Sequence, residues 1–76
     1  MEINDFIDKF AEAIELDDAS AISPETKFKE LDEWNSLAIL SLIAMVDEEY
    51  DIALRNSDIK TASTIQDLFE LIKSKK

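Results

Sequence analysis

The stretch DEWNSLAILSLIAMVDEEY, residues 32–50, decides the fold of this chain. Within it, twelve consecutive residues from Asn35 to Val46 carry no charge, and acidic residues lie on both sides. Either Asn35 or Ser36 can cap a helix that begins at Ser36 and ends near Tyr50. The apolar stripe of this helix consists of Ile39, Leu42, Ile43, Val46 and Tyr50. The stretch therefore predicts one long helix with a serine hydroxyl at its start.

The N-terminal segment predicts another amphipathic helix, with Asn4 as its N-cap and its end at about Glu15. Its apolar residues recur at helical spacing, at Ile3, Phe6, Ile7, Phe10, Ala11 and Ile14.

A much weaker helical signal, at best a single turn, covers about Ser57 to Lys60.

The C-terminal segment predicts a helix that starts with Ser63 and Thr64. Gln66 and Asp67 follow three residues later, in the positions of a capping box. The last turn is rich in lysine, which suits the negative end of the helix dipole. The side chains that we expect to be buried are Ile65, Leu68, Phe69, Leu71 and Ile72.

The connection from Leu16 to Asn35 spans about twenty residues and shows no clear periodicity. A structureless loop of that length is uncommon in a compact domain. This one carries large apolar side chains that can pack along the helices, and Pro24 and Thr26 supply turn chemistry within it. The expected anchors are Ile22, Phe28, Leu31 and Trp34.

The composition favours an all-α protein, because the chain has no glycine and a single proline to form the turns of β-hairpins. Its 76 residues are enough for one small hydrophobic core. We therefore expect one domain, residues 1–76, that forms a small four-helix bundle with three longer helices, one short third helix and a long first loop.

The charge of the chain restricts its partners. Eight basic residues stand against eighteen acidic ones, which gives a net charge of −10. Nucleic acids and anionic membranes are poor partners for such a surface, whereas partners with basic docking patches are attracted to it. The alternative is that the charge only keeps a small helical protein in solution.

The chain contains neither His nor Cys, which removes the Ser–His pair, the thiolate nucleophile and plausible zinc ligands. We therefore expect no enzymatic activity and no metal site. The absence of cysteine fits a reducing compartment. The uncharged run is also shorter than the roughly 20 residues that a membrane span needs. The expectation is a cytoplasmic monomer that does not insert into membranes.

Several segments together resemble the acyl carrier proteins: Phe28 and Leu31, NSL at the start of the central helix, DEEY at its end, and ALRNSDIKTASTIQDLFELI after it. In that family an aspartate–serine–leucine motif opens the second helix. The resemblance covers essentially the whole chain, including the long first loop and the Thr-Ile-x-Asp start of the last helix. It implies a phosphopantetheine-dependent carrier of fatty acid, polyketide or other secondary metabolite biosynthesis, without indicating which.

The resemblance implies that Ser36 receives 4′-phosphopantetheine from coenzyme A through a phosphopantetheinyl transferase, the holo synthase. Acyl or aminoacyl groups would then travel as thioesters on this arm to acyl-loading and acyl-processing enzymes with basic or partly apolar docking patches. A phosphodiester at a helix start faces unpaired N–H groups and the positive end of the dipole. Taken alone, Ser36 is an ordinary helix cap. The Met1 start and the KSKK end favour a free-standing carrier.

Three features depart from the family pattern. Asn35 replaces the aspartate, which keeps an N-cap but loses a charge that helps to hold the transferase's metal; this leaves open an unmodified acidic adaptor with a carrier-like fold. Trp34 replaces a small residue and is either a loop anchor or a partner contact. Acidic residues come only at the end of the second helix, so its docking face should be less charged than usual. The expected partner-binding residues are Trp34, Asn35, Leu37, Ala38, Ser41, Ala44, Met45 and Glu48.

Overall fold

A computed structural model describes residues 2–16 and 19–75. These residues form α-helices and short 3₁₀ turns without any β-strand, which confirms the all-α prediction. Two 3₁₀ turns, Ala19–Ala21 and Phe28–Glu30, lie in the long connection between the first two helices. The α-helices are α1 (Ile3–Ala13), α2 (Ser36–Tyr50), α3 (Asn56–Thr61) and α4 (Ile65–Ser74).

The core lies between the helices and also takes in the long first loop. Ile22 and Phe28 of this loop are buried, and Leu31 and Trp34 are half-buried against the core, as predicted. A fully buried aliphatic or aromatic side chain contributes roughly 1.5–3 kcal/mol, so these anchors hold a loop that lacks regular backbone pairing. The largest fully buried side chains are Phe6, Phe10, Phe28, Leu42, Val46, Ile65, Leu68 and Ile72.

The loop is also tied to α4 by its backbone. Thr26 Oγ1 accepts a hydrogen bond of 2.8 Å from the amide of Ser23, which forms the predicted turn around Pro24. The carbonyls of Thr26 and Pro24 then accept from the amides of Ile65 and Gln66, at 3.1 and 2.8 Å. The turn thus satisfies two of the N–H groups that the first turn of a helix leaves unpaired.

The prediction for the start of α1 was wrong. The N-cap is Glu2, which makes no side-chain cap hydrogen bond, and Asn4 lies inside the first turn with its side chain exposed. Ile3 packs half-buried against the core, so burial of an apolar residue at the first helical position outweighs the preference of Asn4 for a cap.

Two helices end at residues with left-handed backbone conformation. Glu15 has φ 60°, and helix α1 stops at Ala13, two residues before the predicted end. Asp51 has φ 57° and follows α2, whose end at Tyr50 agrees with the prediction. This conformation is usual for glycine and uncommon for other residues. A chain without glycine gives no sequence signal for such an end.

Helices α2 and α4 bury slightly different faces from those predicted. On α2 the deepest line is Ala38, Leu42 and Val46, whereas Ile39, Ile43 and Tyr50 of the predicted stripe are only half-buried. Leu71 of α4 is likewise half-buried. At the start of α4, Thr64 Oγ1 accepts from the amide of Asp67 at 3.1 Å, and Asp67 Oδ2 accepts from the amide of Thr64 at 3.2 Å. The predicted capping box is confirmed.

Candidate functional site

Helix α2 begins at an asparagine cap that leaves the neighbouring serine unengaged. Asn35 has extended backbone angles, and its Oδ1 accepts a 2.9 Å hydrogen bond from the amide of Ala38. Ser36 is the first helical residue and is exposed. Among the described residues, none forms a hydrogen bond with its hydroxyl. Of the two capping candidates, the structure therefore selects Asn35 and leaves the Ser36 Oγ available for chemistry.

The surroundings of Ser36 fit a phosphodiester. Within the described part of the chain, the amides of Ser36 and Leu37 have no protein acceptor, and the first turn of α2 carries no acidic residue. Free N–H groups and the positive end of the helix dipole stabilise an anion at this position. Asn35 adds no negative charge beside it. The residues present can thus hold the phosphate of a 4′-phosphopantetheine arm on Ser36.

Trp34 fixes the loop that leads into the site. Its ring stacks on Phe10, with centroids 6.2 Å apart and an interplanar angle of 9°, and meets Phe28 edge-on at 4.9 Å. The rings of Phe10 and Phe28 also contact each other at 5.9 Å. Such pairs add roughly 0.5–1.5 kcal/mol beyond their buried area. Trp34 is therefore a loop anchor, which is one of the two roles predicted for it. The other role, a contact with a partner, stays a prediction.

Two leucines make the outer surface of α2 apolar beside Ser36. Leu37 is 67% exposed and Leu40 is 65% exposed. Leu37 was among the predicted partner-binding residues, whereas Leu40 was not. The spacing of the two leucines could have revealed Leu40, because positions i and i+3 share one helix face. This face is not the predicted core stripe.

The other predicted partner-binding residues of α2 do not all reach the surface. Ala38 is only 4% exposed and is corrected here to a core residue, because it belongs to the line along which α2 packs on the core. Ala44 and Glu48 are exposed, and Ser41 and Met45 are half-buried. These four residues line a groove between α1 and α2, so the surface near Ser36 has two parts: the outer leucines and this groove.

The far end of α2 is acidic. Asp47, Glu48 and Glu49 are exposed, and Glu49 Oε1 lies 3.7 Å from Lys9 Nζ of α1. Lys9 also lies 5.3 Å from the centre of the Tyr50 ring, and burial raises the pKa of Tyr50 above its ordinary value. No group of residues suited to holding a metal ion occurs in residues 2–16 and 19–75.

The described helices are also too short or too polar for any of them to cross a membrane.

Comparison with known proteins agrees with this geometry. Residues 4–72 match the family described as "Phosphopantetheine attachment site". The fold is similar to the solution NMR structure of a holo acyl carrier protein from Geobacter metallireducens, with a TM-score of 0.78 and 23% sequence identity. That similarity covers 96% of this chain and 83% of the other. Domains of this family hold a phosphopantetheine prosthetic group and are carriers, not catalysts. The chain therefore belongs to the phosphopantetheine-attachment family and has the fold of an acyl carrier protein.

Proposed function

We propose that Ser36 is the residue that receives 4′-phosphopantetheine and that the chain carries acyl or aminoacyl groups on this arm. The observation that carries the proposal is the exposed, unengaged Ser36 hydroxyl beside two free backbone amides at the start of α2. The family match from residue 4 to residue 72 supports the reading of residues 1–76 as one carrier domain. We also propose that the protein is monomeric and cytoplasmic.

The modification needs a separate enzyme. In the transfer, Ser36 Oγ forms a bond to the phosphorus that carries the pantetheine group of coenzyme A. The pyrophosphate P–O bond breaks, adenosine 3′,5′-bisphosphate leaves, and the hydroxyl proton passes to a base of the transferase. The chain has no histidine or cysteine to activate the serine. Its own contribution is to hold the hydroxyl outward and to stabilise the new anion with the amides of Ser36 and Leu37.

The arm supplies a thiol on which an acyl group is held as a thioester. The proposed partners are the transferase and the enzymes that load or process the acyl group. Leu37 and Leu40 offer them an apolar contact beside the attachment point, while Asp47 and Glu48 attract basic patches from the other end of α2. Partner enzymes with an apolar recess and a nearby basic patch fit this surface.

Intact-mass spectrometry tests the attachment residue directly. The wild type, incubated with coenzyme A, magnesium and a broad-specificity transferase, should gain the mass of one phosphopantetheine. Ser36→Ala should gain nothing and should keep its helical circular dichroism. Ser57→Ala, at an exposed serine of α3 that does not line the α1–α2 groove, is the matched control and should be modified as the wild type is. A modified Ser36→Ala protein would show that another residue holds the arm.

The alternative function is an acidic adaptor that is never modified, which Asn35 in the place of the family's aspartate keeps open. The protein isolated from its native host distinguishes the two. A chain that carries no arm there, although it is modified in vitro, would favour the adaptor.

A further inference from the structure

A groove runs between α1 and α2, from the neighbours of Ser36 to the acidic end of α2, and Ser36 itself lies outside its two hollows. Its near part, a hollow of about 170 Å³, is lined by Asn35 and Leu37 on either side of Ser36 and by residues at the end of α1. Its far part, of about 420 Å³, is lined by Ala44, Met45 and Glu48 of α2. The walls of both hollows include Ala13 and Ser41, so the two adjoin.

The length of this groove matches a pantetheine arm. From Leu37 to Glu48, helix α2 rises by roughly 17 Å at 1.5 Å per residue. A pantetheine chain contains about as many backbone bonds as five peptide residues, and its extended length is therefore roughly 17 Å as well. An arm attached at Ser36 and laid along the groove would place its thiol, and whatever the thiol carries, beside Glu48.

The walls of the groove suit the polar, amide-containing arm. Ala13, Ser41 and Ala44 are small, and none of these is buried in the core. Small side chains let an extended chain approach the helix backbone, and the Ser41 hydroxyl offers a donor and an acceptor to an amide. The far hollow, at about 420 Å³, lies within the ordinary size range of small-molecule sites.

The charge around the far hollow selects the carried group. Among the described residues, Lys9 is the only basic one that lines it. Its ammonium lies 3.7 Å from Glu49 Oε1 and 5.3 Å from the Tyr50 ring centre. Glu12 and Glu48 also line the hollow, and within the described residues neither is in an ion pair. The end of the groove therefore attracts a cation and repels a carboxylate.

We propose that the pantetheine arm rests in the α1–α2 groove and that the far hollow takes a small acyl group bearing a protonated amine. This inference rests on the proposed attachment at Ser36 and deepens it by naming the class of carried group. Glu12 and Glu48 are binding residues for the amine, and Ala13, Ser41 and Ala44 form the track for the arm.

Nuclear magnetic resonance of loaded protein tests this placement. The arm is attached enzymatically with stable amide-linked 3-aminopropionyl, butyryl or malonyl groups, of which the first two differ only in an ammonium for a methyl group. The readout is the chemical-shift change from the apo protein. We expect changes at Ala13, Ala44 and Met45 that are largest with the amine and smallest with the carboxylate. Leu40 and Asp47, which do not line the groove, are the internal control.

Two charge variants test the selection. Glu48→Gln should reduce the excess shift of the amine-bearing form over the butyryl form by about two- to fivefold, the effect of one exposed ion pair. Asp47→Asn removes an equal charge from the adjacent exposed residue outside the groove and should leave this excess unchanged. Equal losses in both variants would show that the overall charge of the chain, and not the groove, attracts the amine.

Mass spectrometry of each sample separates the two levels of the argument. A chain that no transferase modifies overturns the proposed function and this inference with it. A modified chain whose shift changes stop at residues 35–38, or spread to Leu40 and Asp47 instead of Ala44, overturns the groove alone. Equal shifts with the three carried groups would overturn the selection for an amine.

Discussion

The N-termini of α2 and α4 are built differently, although both follow an extended capping residue. At α4 the chain itself closes the helix: Thr64 and Asp67 form a capping box, and loop carbonyls accept from the amides of Ile65 and Gln66. At α2 the side chain of Asn35 satisfies the third amide only. In the described part of the chain, the amides of Ser36 and Leu37 find no protein acceptor.

This difference separates a fully capped helix start from the open one at which we propose that the arm is attached. When every amide of a first turn has a protein acceptor, the helix is stabilised and no N–H group remains free to bind a ligand. Leaving two of them open costs some stability but creates a place for an anion. The capping residue alone would not distinguish the two cases, because Thr64 and Asn35 are both good N-caps. What distinguishes them is whether the remaining amides are used.

The largest effect should come from adding a charge at the open start. Asn35→Asp keeps a cap oxygen for the amide of Ala38 and restores the acid of the family's motif, so the transferase should gain a charge-assisted contact. Such a contact is worth roughly 1.5–3 kcal/mol, which corresponds to about tenfold or more in kcat/KM, and less if it is exposed to solvent. Steady-state modification rates at fixed magnesium and salt measure this.

The control for Asn35→Asp is the enzyme. A broad-specificity transferase should prefer the aspartate variant, whereas a host transferase adapted to asparagine should prefer the wild type. Equal rates for both proteins with both enzymes would mean that position 35 is neutral and that the departure from the family motif has no consequence for recognition.

Removing one hydroxyl from each helix start should have unequal effects on stability. Thr64→Ala deletes a cap and should lower the free energy of unfolding by about 0.5–2 kcal/mol. Ser36→Ala deletes an exposed hydroxyl without a partner and should change it by less than about 0.5 kcal/mol. Urea denaturation of the unmodified proteins measures both. Similar losses would contradict the assignment of Asn35 as the only side-chain cap of α2.

Acidification should weaken the hydrogen bonds at the start of α4 before those at the start of α2. Hydrogen bonds from the amides of Ser63 and Thr64 hold the pKa of Asp67 below its ordinary 3.8. Since the folded pKa is below the unfolded one, this contribution is complete above pH 3.8 and is lost as the pH falls through the folded value. Asn35 does not titrate. Protection of the amides of Ser63 and Thr64, measured as their exchange rates relative to the intrinsic rates at each pH, should fall on acidification before protection of the Ala38 amide; the reverse order would sink the idea.

The smallest effect should come from salt. The net charge of −10 makes the folded chain repel itself, and 0.1 M salt screens charges over about 10 Å. We expect a rise of roughly 1–4 °C in melting temperature, and an equal rise for the Thr64→Ala variant because the hydroxyl that it loses carries no charge. A melting temperature that falls or stays constant would show that self-repulsion is not a material term.

The sequence predicted best where one local pattern decides the structure. The capping box of Thr64 and Asp67 and the helix start at Ser36 depend on residues that are close in sequence, and both are confirmed. The start of α1 was predicted wrongly because it depends on the tertiary packing of Ile3. Glycine normally reveals a left-handed helix end, and this chain uses Glu15 and Asp51 instead.

The sequence predicts where the candidate site lies in the chain, but not which side chains of α2 are exposed around it. Ser36 follows from the motif, whereas the burial of Ala38 and the exposure of Leu40 depend on how α2 is rotated about its axis against α1 and the core. Periodicity alone fixes that rotation only coarsely, because the uncharged run of α2 is apolar on almost every side. The groove forms only where α1 and α2 pack together, so the sequence of neither helix alone predicts it.

The stacking of Trp34 has a practical consequence for following this protein in solution. It is the only tryptophan of the chain, and it lies two residues before Ser36 with its ring against Phe10. Indole emission depends on the polarity and rigidity of its surroundings. The unlabelled protein therefore carries its own fluorophore beside the residue to which we propose that the arm is attached. Rapid mixing with a transferase can be followed through the emission of that one ring, without any dye on the surface that we propose for partners.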